Sequence, residues 1–157
     1  IGIQFTLANA HLVRTLFTGY SHDKVINNPH EKVKTKMPII VAGGEKPGAS
    51  SDIDAVDLAK AYGATEMINL SNIEYVFDKD PNKFKNAKKI EDINWKDFRK
   101  NIVGYKWEPG KNVPFDPTAS GRAEKYKMTV SILNGTNLAE VAKALQGKKF
   151  KGTKVHP

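Results

Sequence analysis

The 157-residue chain contains no cysteine, which excludes both a disulfide framework and a thiolate metal site. Histidine is scarce as well. His11, His22, His30 and His156 are the only four, and no two share a metal-ligand spacing such as i, i+4. A zinc enzyme is therefore not expected, and no residue is assigned to a metal. No apolar run nears the roughly 18 residues needed to span a bilayer. No signal-peptide pattern heads the chain, so a cytoplasmic protein without membrane contact is expected. Internal repeats, low-complexity tracts and linkers are missing too, which suits a single domain over residues 1–157 with length enough for a core. The first residue is Ile rather than Met, and Ile1-Gly2-Ile3 reads as the middle of a longer sequence.

What the chain does have is positive charge, +8 from 25 Lys and Arg against 17 Asp and Glu. Lysines gather at Lys79, Lys83, Lys85, Lys88 and Lys89, and again at Lys148, Lys149, Lys151 and Lys154. Basic patches bind phosphate backbones without sequence preference. Here they alternate with Asp78, Asp80, Glu91 and Asp92, and no aromatic platform or recognition helix accompanies them. They read as a solvated surface, and nucleic acid is not the expected partner. The same charge equally suits an anionic nucleotide.

Apolar periodicity alternates helix and strand along the chain. Residues 3–17 predict a helix with Phe5, Ala8, Leu12 and Leu16 on one face. The continuously apolar stretch 37–42 reads as a central parallel strand covered on both faces. A helix follows over 51–62, stopped by Gly63, then a strand over 66–70 and an extended or turning stretch over 73–77. Residues 92–102 predict a helix capped by Asn94, and 104–114 a loop. Asp116-Pro117 opens another helix, because aspartate caps well and proline suits the first helical position. A strand over 129–133, a helix over 138–145 ended by Gly147 and a short strand over 152–155 close the chain. Strands separated by helices argue for an α/β fold with a largely parallel sheet, whose ligands bind beyond the carboxyl ends of the strands.

The loop after the first of these strands carries the most information. Val41-Ala-Gly-Gly-Glu-Lys-Pro-Gly-Ala-Ser-Ser-Asp52 joins an apolar strand to an amphipathic helix through a glycine-rich turn. Glycine amides beside a helix N-terminus form an anion site, and the hydroxyls of Ser50 and Ser51 can donate to phosphate oxygens. An ordinary strand-to-helix turn capped by Ser51 or Asp52 fits the same residues.

Three segments together resemble the amino-acid-kinase superfamily, and within it the UMP kinases. The turn above is similar to the family's Gly-Gly-Thr-x-Pro-Gly-x-Thr-Thr-Asp. Asn69-Leu-Ser-Asn-Ile-Glu-Tyr-Val-Phe-Asp-Lys-Asp-Pro81 resembles Asn-Ala-Thr-Asn-Val-Asp-Gly-Val-Tyr-Asp-x-Asp-Pro. Val113-Pro-Phe-Asp-Pro-Thr-Ala119, Ile132-Leu-Asn-Gly135 and Leu145-x-Gly-Lys-x-Phe-x-Gly-Thr153 continue the likeness in order and at matching spacing. The resemblance implies a three-layer α/β/α sandwich, with this chain as the C-terminal two-thirds of it. It implies an ATP- and Mg2+-dependent phosphotransferase making UDP from UMP, and a homo-oligomer, since the resembling enzymes are commonly hexamers built from dimers. Gly44, Glu45, Lys46, Pro47, Gly48, Ala49, Ser50 and Ser51 would line the UMP site. Asp52 and Asp116 match aspartates beside the transferring phosphoryl group, although both could simply cap helices. Ser71, Phe77 and Asp80 match positions that contact the ATP adenosine; Asp80-Pro81 also fits a plain turn.

The resemblance leaves out the family's N-terminal third, with its lysine and glycine loops for the ATP phosphates, so this chain alone is expected to be poorly active. Glu45 stands where a neutral threonine is usual, and its carboxylate repels a phosphate unless it turns away. Glu74-Tyr75 replaces Asp-Gly, where glycine tolerates a positive φ that tyrosine resists. A non-catalytic nucleotide-binding or oligomer-forming relative is the alternative. A kinase acting on an amino acid, carbamate or isopentenyl phosphate stands behind it, and a nucleic-acid-binding domain last.

Overall fold

The computed structural model describes residues 2–46, 48, 50–107 and 112–157. The chain forms two compact units, Ile1–Gly63 and Ala64–Pro157.

In the first unit, α1 (Gly2–Leu16) shows two apolar stripes, and the structure buries the one not expected. Ile3, Leu7, Ala10 and Arg14 recur at helical spacing and face inward. Phe5, Leu12 and Leu16 are 66%, 62% and 74% exposed, so the stripe chosen from hydrophobicity looks outward. Residues 37–42 also differ from expectation. They are extended but exposed at Met37 and Pro38, and they pair on one side only, through parallel bridges Ser21↔Ile39 and Ile26↔Ala42. The longer stretch 21–26 faces the shorter 39–42, and the bend at Asp23-Lys24 interrupts the ladder. The helix α2 (Ser51–Ala61) follows, ended at Tyr62 and Gly63, whose φ of 73° suits glycine.

The second unit is built on a four-stranded sheet of β1 (Glu66–Ser71), β4 (Asp92–Asn94), β5 (Thr129–Asn134) and β6 (Thr153–His156) in the order β1-β5-β6-β4. The pairs β1·β5 and β4·β6 are parallel and β5·β6 is antiparallel. A small antiparallel hairpin joins β2 (Val76–Phe77) to β3 (Lys89–Ile90). Thr153, fully buried, ties it to β6: its hydroxyl donates to the Ile90 carbonyl and accepts from the Val76 amide at 2.8 Å.

The helix expected over 92–102 begins later. Residues 92–94 pair with β6, Asn94 then caps α3 (Trp95–Phe98) by accepting from the Asp97 amide, and the chain continues as a π-turn over Arg99–Val103. Trp95, Phe98 and Phe115 form the aromatic centre of the core. Trp95 meets Phe98 edge-on at 5.8 Å and Phe115 at 6.2 Å; Val130, Ile132 and Val155 are buried in the same unit. The remaining helices, α4 (Pro117–Lys125) and α5 (Leu138–Leu145), lie where the caps and glycines place them.

At the sheet edge, His156 Nε2 lies 2.8 Å from Asp92 Oδ1, and Nδ1 lies 2.8 Å from the Pro157 carbonyl. The carbonyl first, then the carboxylate, favour the imidazolium and raise the His156 pKa above its ordinary value. A raised folded pKa means that the stabilisation is complete below the unfolded value, about 6.5, and disappears as pH climbs through the folded one. Melting temperature is expected to fall as pH rises from about 6 to 8, and His156→Ala to remove that fall. An unchanged slope in the variant would dismiss the pair as its source.

Candidate functional site

The glycine turn approaches α1 closely. A Cβ on Gly43 would stand 2.7 Å from Leu7 Cδ2 and 3.2 Å from its Cα, so any larger residue would have to push Leu7 aside. Three of the turn's amides, those of residues 43–45, are taken up within the protein. Gly43 N donates to the Ile26 carbonyl at 2.8 Å, Gly44 N to Thr6 Oγ1 at 3.1 Å and Glu45 N to Asp54 Oδ2 at 3.2 Å. What faces outward is the start of α2. Ser50 is its N-cap, in place of the Ser51 or Asp52 considered from sequence, with Oγ accepting from Ile53 N at 3.4 Å. Accepting leaves the Ser50 hydroxyl proton available to donate, and the exposed Ser51 hydroxyl stands beside it at the first helical position. Gly48 sits at φ 85°, which a side chain resists. Glu45 forms an ion pair with Lys46 at 3.5 Å, so its carboxylate is partly neutralised by its own neighbour. Pro47 and Ala49 lie outside the described residues.

Asp52 and Asp54 occupy the first turn of α2, where the helix dipole favours carboxylates. Beneath the turn is a cavity of about 460 Å³, mostly apolar, reached by Thr6, Val13, Val41, Gly44, Ser51 and Asp54. Two of its polar contributors, Thr6 and Asp54, escaped sequence reasoning. Thr6 lies within α1 without any motif around it, and Asp54 carries no sequence signal beyond its place in the first turn of α2.

The remaining assigned residues belong to the second unit. Ser71 ends β1 level with Asn134 at the end of β5, where the Gly135 amide donates to the Ser71 carbonyl at 2.9 Å. This is the carboxyl end of a parallel pair, the location where α/β sheets bind ligands. Asn134 Oδ1 accepts from the amide and hydroxyl of Thr136, giving a short polar turn beside Ser71 at the Ile132-Leu-Asn-Gly135 motif. Phe77 sits half-buried on β2. Asp80 forms the turn that its sequence allowed, with Oδ1 accepting from Asn82 N at 2.9 Å and the carboxylate 3.9 Å from Lys83. Tyr75 is not among the residues with positive φ, so the chain passes its Asp-Gly replacement without strain there.

Asp116 is the N-cap of α4. Its Oδ1 accepts from the Thr118 and Ala119 amides at 2.7 and 2.8 Å, and the residue is 6% exposed. The structure therefore brings Gly44, Glu45, Lys46, Gly48, Ser50, Ser51 and Asp52 onto one loop and helix start in the first unit. Ser71, Phe77, Asp80 and Asp116 lie in the second.

Residues 16–134 match the amino acid kinase family. Uridylate kinase of Methanobrevibacter smithii is 33% identical over 157 residues, covering 99% of this chain and 69% of that protein. Uridylate kinase of Staphylothermus marinus is 31% identical over 159 residues, covering 100% and 70%. The crystal structure of uridylate kinase from Archaeoglobus fulgidus superposes with a TM-score of 0.81 at 26% identity, over 98% of this chain and 69% of that one. The local motifs and the whole-chain similarity thus agree on one family. The chain belongs to the amino acid kinase family, and nearly its whole length aligns with 69–70% of the uridylate kinases named above.

Proposed function

We propose that this chain carries nucleotide sites of a kinase that transfers the γ-phosphoryl of ATP to UMP, giving UDP and ADP. The observation that carries the reading is the start of α2, where Ser50, Ser51 and Asp52 stand in the order of the family's acceptor loop and present two hydroxyls beside a helix N-terminus. Phosphoryl transfer depends on positioning and charge neutralisation more than on a covalent step. Ser50 and Ser51 would hold the acceptor phosphate, with Lys46 supplying nearby positive charge. Ser71, Phe77 and Asp80 would hold ATP, Phe77 as an apolar wall for adenine and Asp80 at a ribose hydroxyl. Asp52 and Asp116 would flank the transferring group.

Among the described residues no group of three His, Cys, Asp or Glu side chains could hold a metal ion. Magnesium fits here as part of the incoming nucleotide, bound by its phosphates, and no protein-held metal enters the reading. None of the described helices is long and apolar enough to cross a membrane. The exposed Phe5, Leu12 and Leu16 of α1 support self-association into a homo-oligomer, which light scattering on purified chain would read.

The decisive experiment is UMP-dependent ADP release from Mg-ATP by this 157-residue chain, with the rate lacking UMP subtracted. Turnover above background is the expected sign of the activity. Binding of both nucleotides without turnover would reduce the chain to a binding role, and binding of neither would remove the reading.

A further inference from the structure

The second unit carries an open groove of about 650 Å³ that has no part in the proposed transfer. Side chains alternate between the two faces of a strand. The register therefore puts Ile68, Ser131, Lys154 and Asp92 in one row across the sheet, with Glu66 and Thr129 paired beside them. Val130 and Val155 pair on the opposite face and are buried, while the first face is the floor of the groove. Glu66 and Thr129 begin β1 and β5, so the groove lies at the other end of these strands from Ser71 and Asn134. Its wall is the stretch after α5, where Lys148, Lys149 and Phe150 line it. That stretch is held in place. Glu140, 7% exposed, accepts from the Lys151 amide at 2.7 Å and from the Lys143 ammonium at 2.7 Å. The Lys148 amide donates to the Lys143 carbonyl at 2.9 Å, so two points tie the wall to the helix.

Charge in the groove does not cancel. Glu91 is paired with Lys89 at 2.6 Å and Asp92 with His156 at 2.8 Å. Glu66 stands two strands from Lys154 in the sheet order, roughly 10 Å at the usual strand spacing. Lys148, Lys149 and Lys154 enter no ion pair among the described residues. The α5 carbonyls of residues 142–144, which would repel an anion, accept from the amides of residues 146–148. On the floor, the Thr129 and Ser131 hydroxyls make no side-chain hydrogen bond among the described residues and are able to donate. We propose that this groove binds a polyphosphate chain, free or carried by a nucleotide. Lys148, Lys149 and Lys154 neutralise its charge, and Thr129 and Ser131 donate to its oxygens. Ammonium groups on two sides of a hydroxyl floor suit a multiply charged oxyanion, and a wall ordered beforehand loses little entropy on binding.

The test is calorimetric titration of inorganic tripolyphosphate into the 157-residue chain. Its variants are Lys154→Gln, the double Lys148→Gln/Lys149→Gln and, as a control outside the groove, Lys125→Gln on α4. All four lysines are exposed, so the variants keep the fold, which thermal melting would verify. Wild type is expected to bind, and each groove variant to lose about tenfold in affinity while the control stays within about twofold. Raising NaCl from about 0.05 to about 0.5 M is expected to weaken wild-type binding by screening. Titration with CTP separates the two sources of the chain. Affinity above that of tripolyphosphate, reduced in Phe150→Leu, gives a nucleotide stacked on that ring; equal affinity gives the phosphate chain alone. No tripolyphosphate binding by wild type would overturn the site. Binding kept by both groove variants would place the anion elsewhere, and an equal loss in the control would reduce it to general charge; either result overturns the proposal. None of these outcomes depends on UMP turnover.

Discussion

Replacing Trp95 with alanine is expected to destabilise the second unit by about 3–5 kcal/mol, the range for deleting a large aromatic from a packed core. Trp95 is 1% exposed and borders both Phe98 and Phe115, neither of which can follow a shrinking neighbour without opening a gap elsewhere. Its Nε1 also donates to the Met128 carbonyl at 2.7 Å, at the point where the chain leaves α4 and turns into β5. The alanine variant leaves that carbonyl unpaired in a dry interior. Trp95→Phe keeps most of the ring volume, so its cost is weighted toward the lost donor, with a smaller packing loss from the missing ring atoms. It is expected to cost about 1–3 kcal/mol. Urea denaturation followed by circular dichroism would give both values. A loss below about 1 kcal/mol for Trp95→Ala would show that the core closes around the cavity, against the packing argument.

The second large effect concerns chemistry. Wherever UMP-dependent turnover is measured, Asp52→Asn is expected to lower kcat by about 100-fold or more, the scale for removing one preorganised electrostatic group. The capping role at α2 belongs to Ser50, so the substitution keeps the side-chain cap of the helix while removing the Asp52 charge from its first turn. Asp116 offers the complementary case. There the side chain is the cap, and Asp116→Asn preserves capping while deleting the charge. Asp116→Ala loses both, with about 1 kcal/mol of stability expected to go with the cap. Near-normal kcat in Asp52→Asn would remove Asp52 from the catalytic group and leave it as an ordinary first-turn acid.

Features resting on local chemistry were legible in the sequence. Asn94 and Asp116 cap where their side chains can reach an amide two or three residues on, and Gly63 and Gly147 end helices at φ values of 73° and 67°. The α/β class with a mostly parallel sheet and the family itself were readable too, from alternating periodicities and colinear motifs. Features set by distant partners were not. Asp92–Asn94 is a strand because β6, far along the chain, pairs with it; the Asn94 cap marks where the helix starts, but nothing local makes the residues before it a strand. On α1, two stripes share helical spacing, and the less hydrophobic one is buried. Glycines at 43 and 44 announced a tight backbone, but not that Thr6 and Asp54 would take up the amides beside them.

The order of the sheet carries a consequence for biosynthesis. The strand β6 lies between β5 and β4 and also holds the β2–β3 hairpin through Thr153. On a ribosome releasing residues in sequence, β4 and the hairpin emerge long before the strand that completes them. The second unit therefore cannot close until residues 153–156 have left the exit tunnel, and a nascent chain stalled before them would expose Val130 and Ile132 to chaperones.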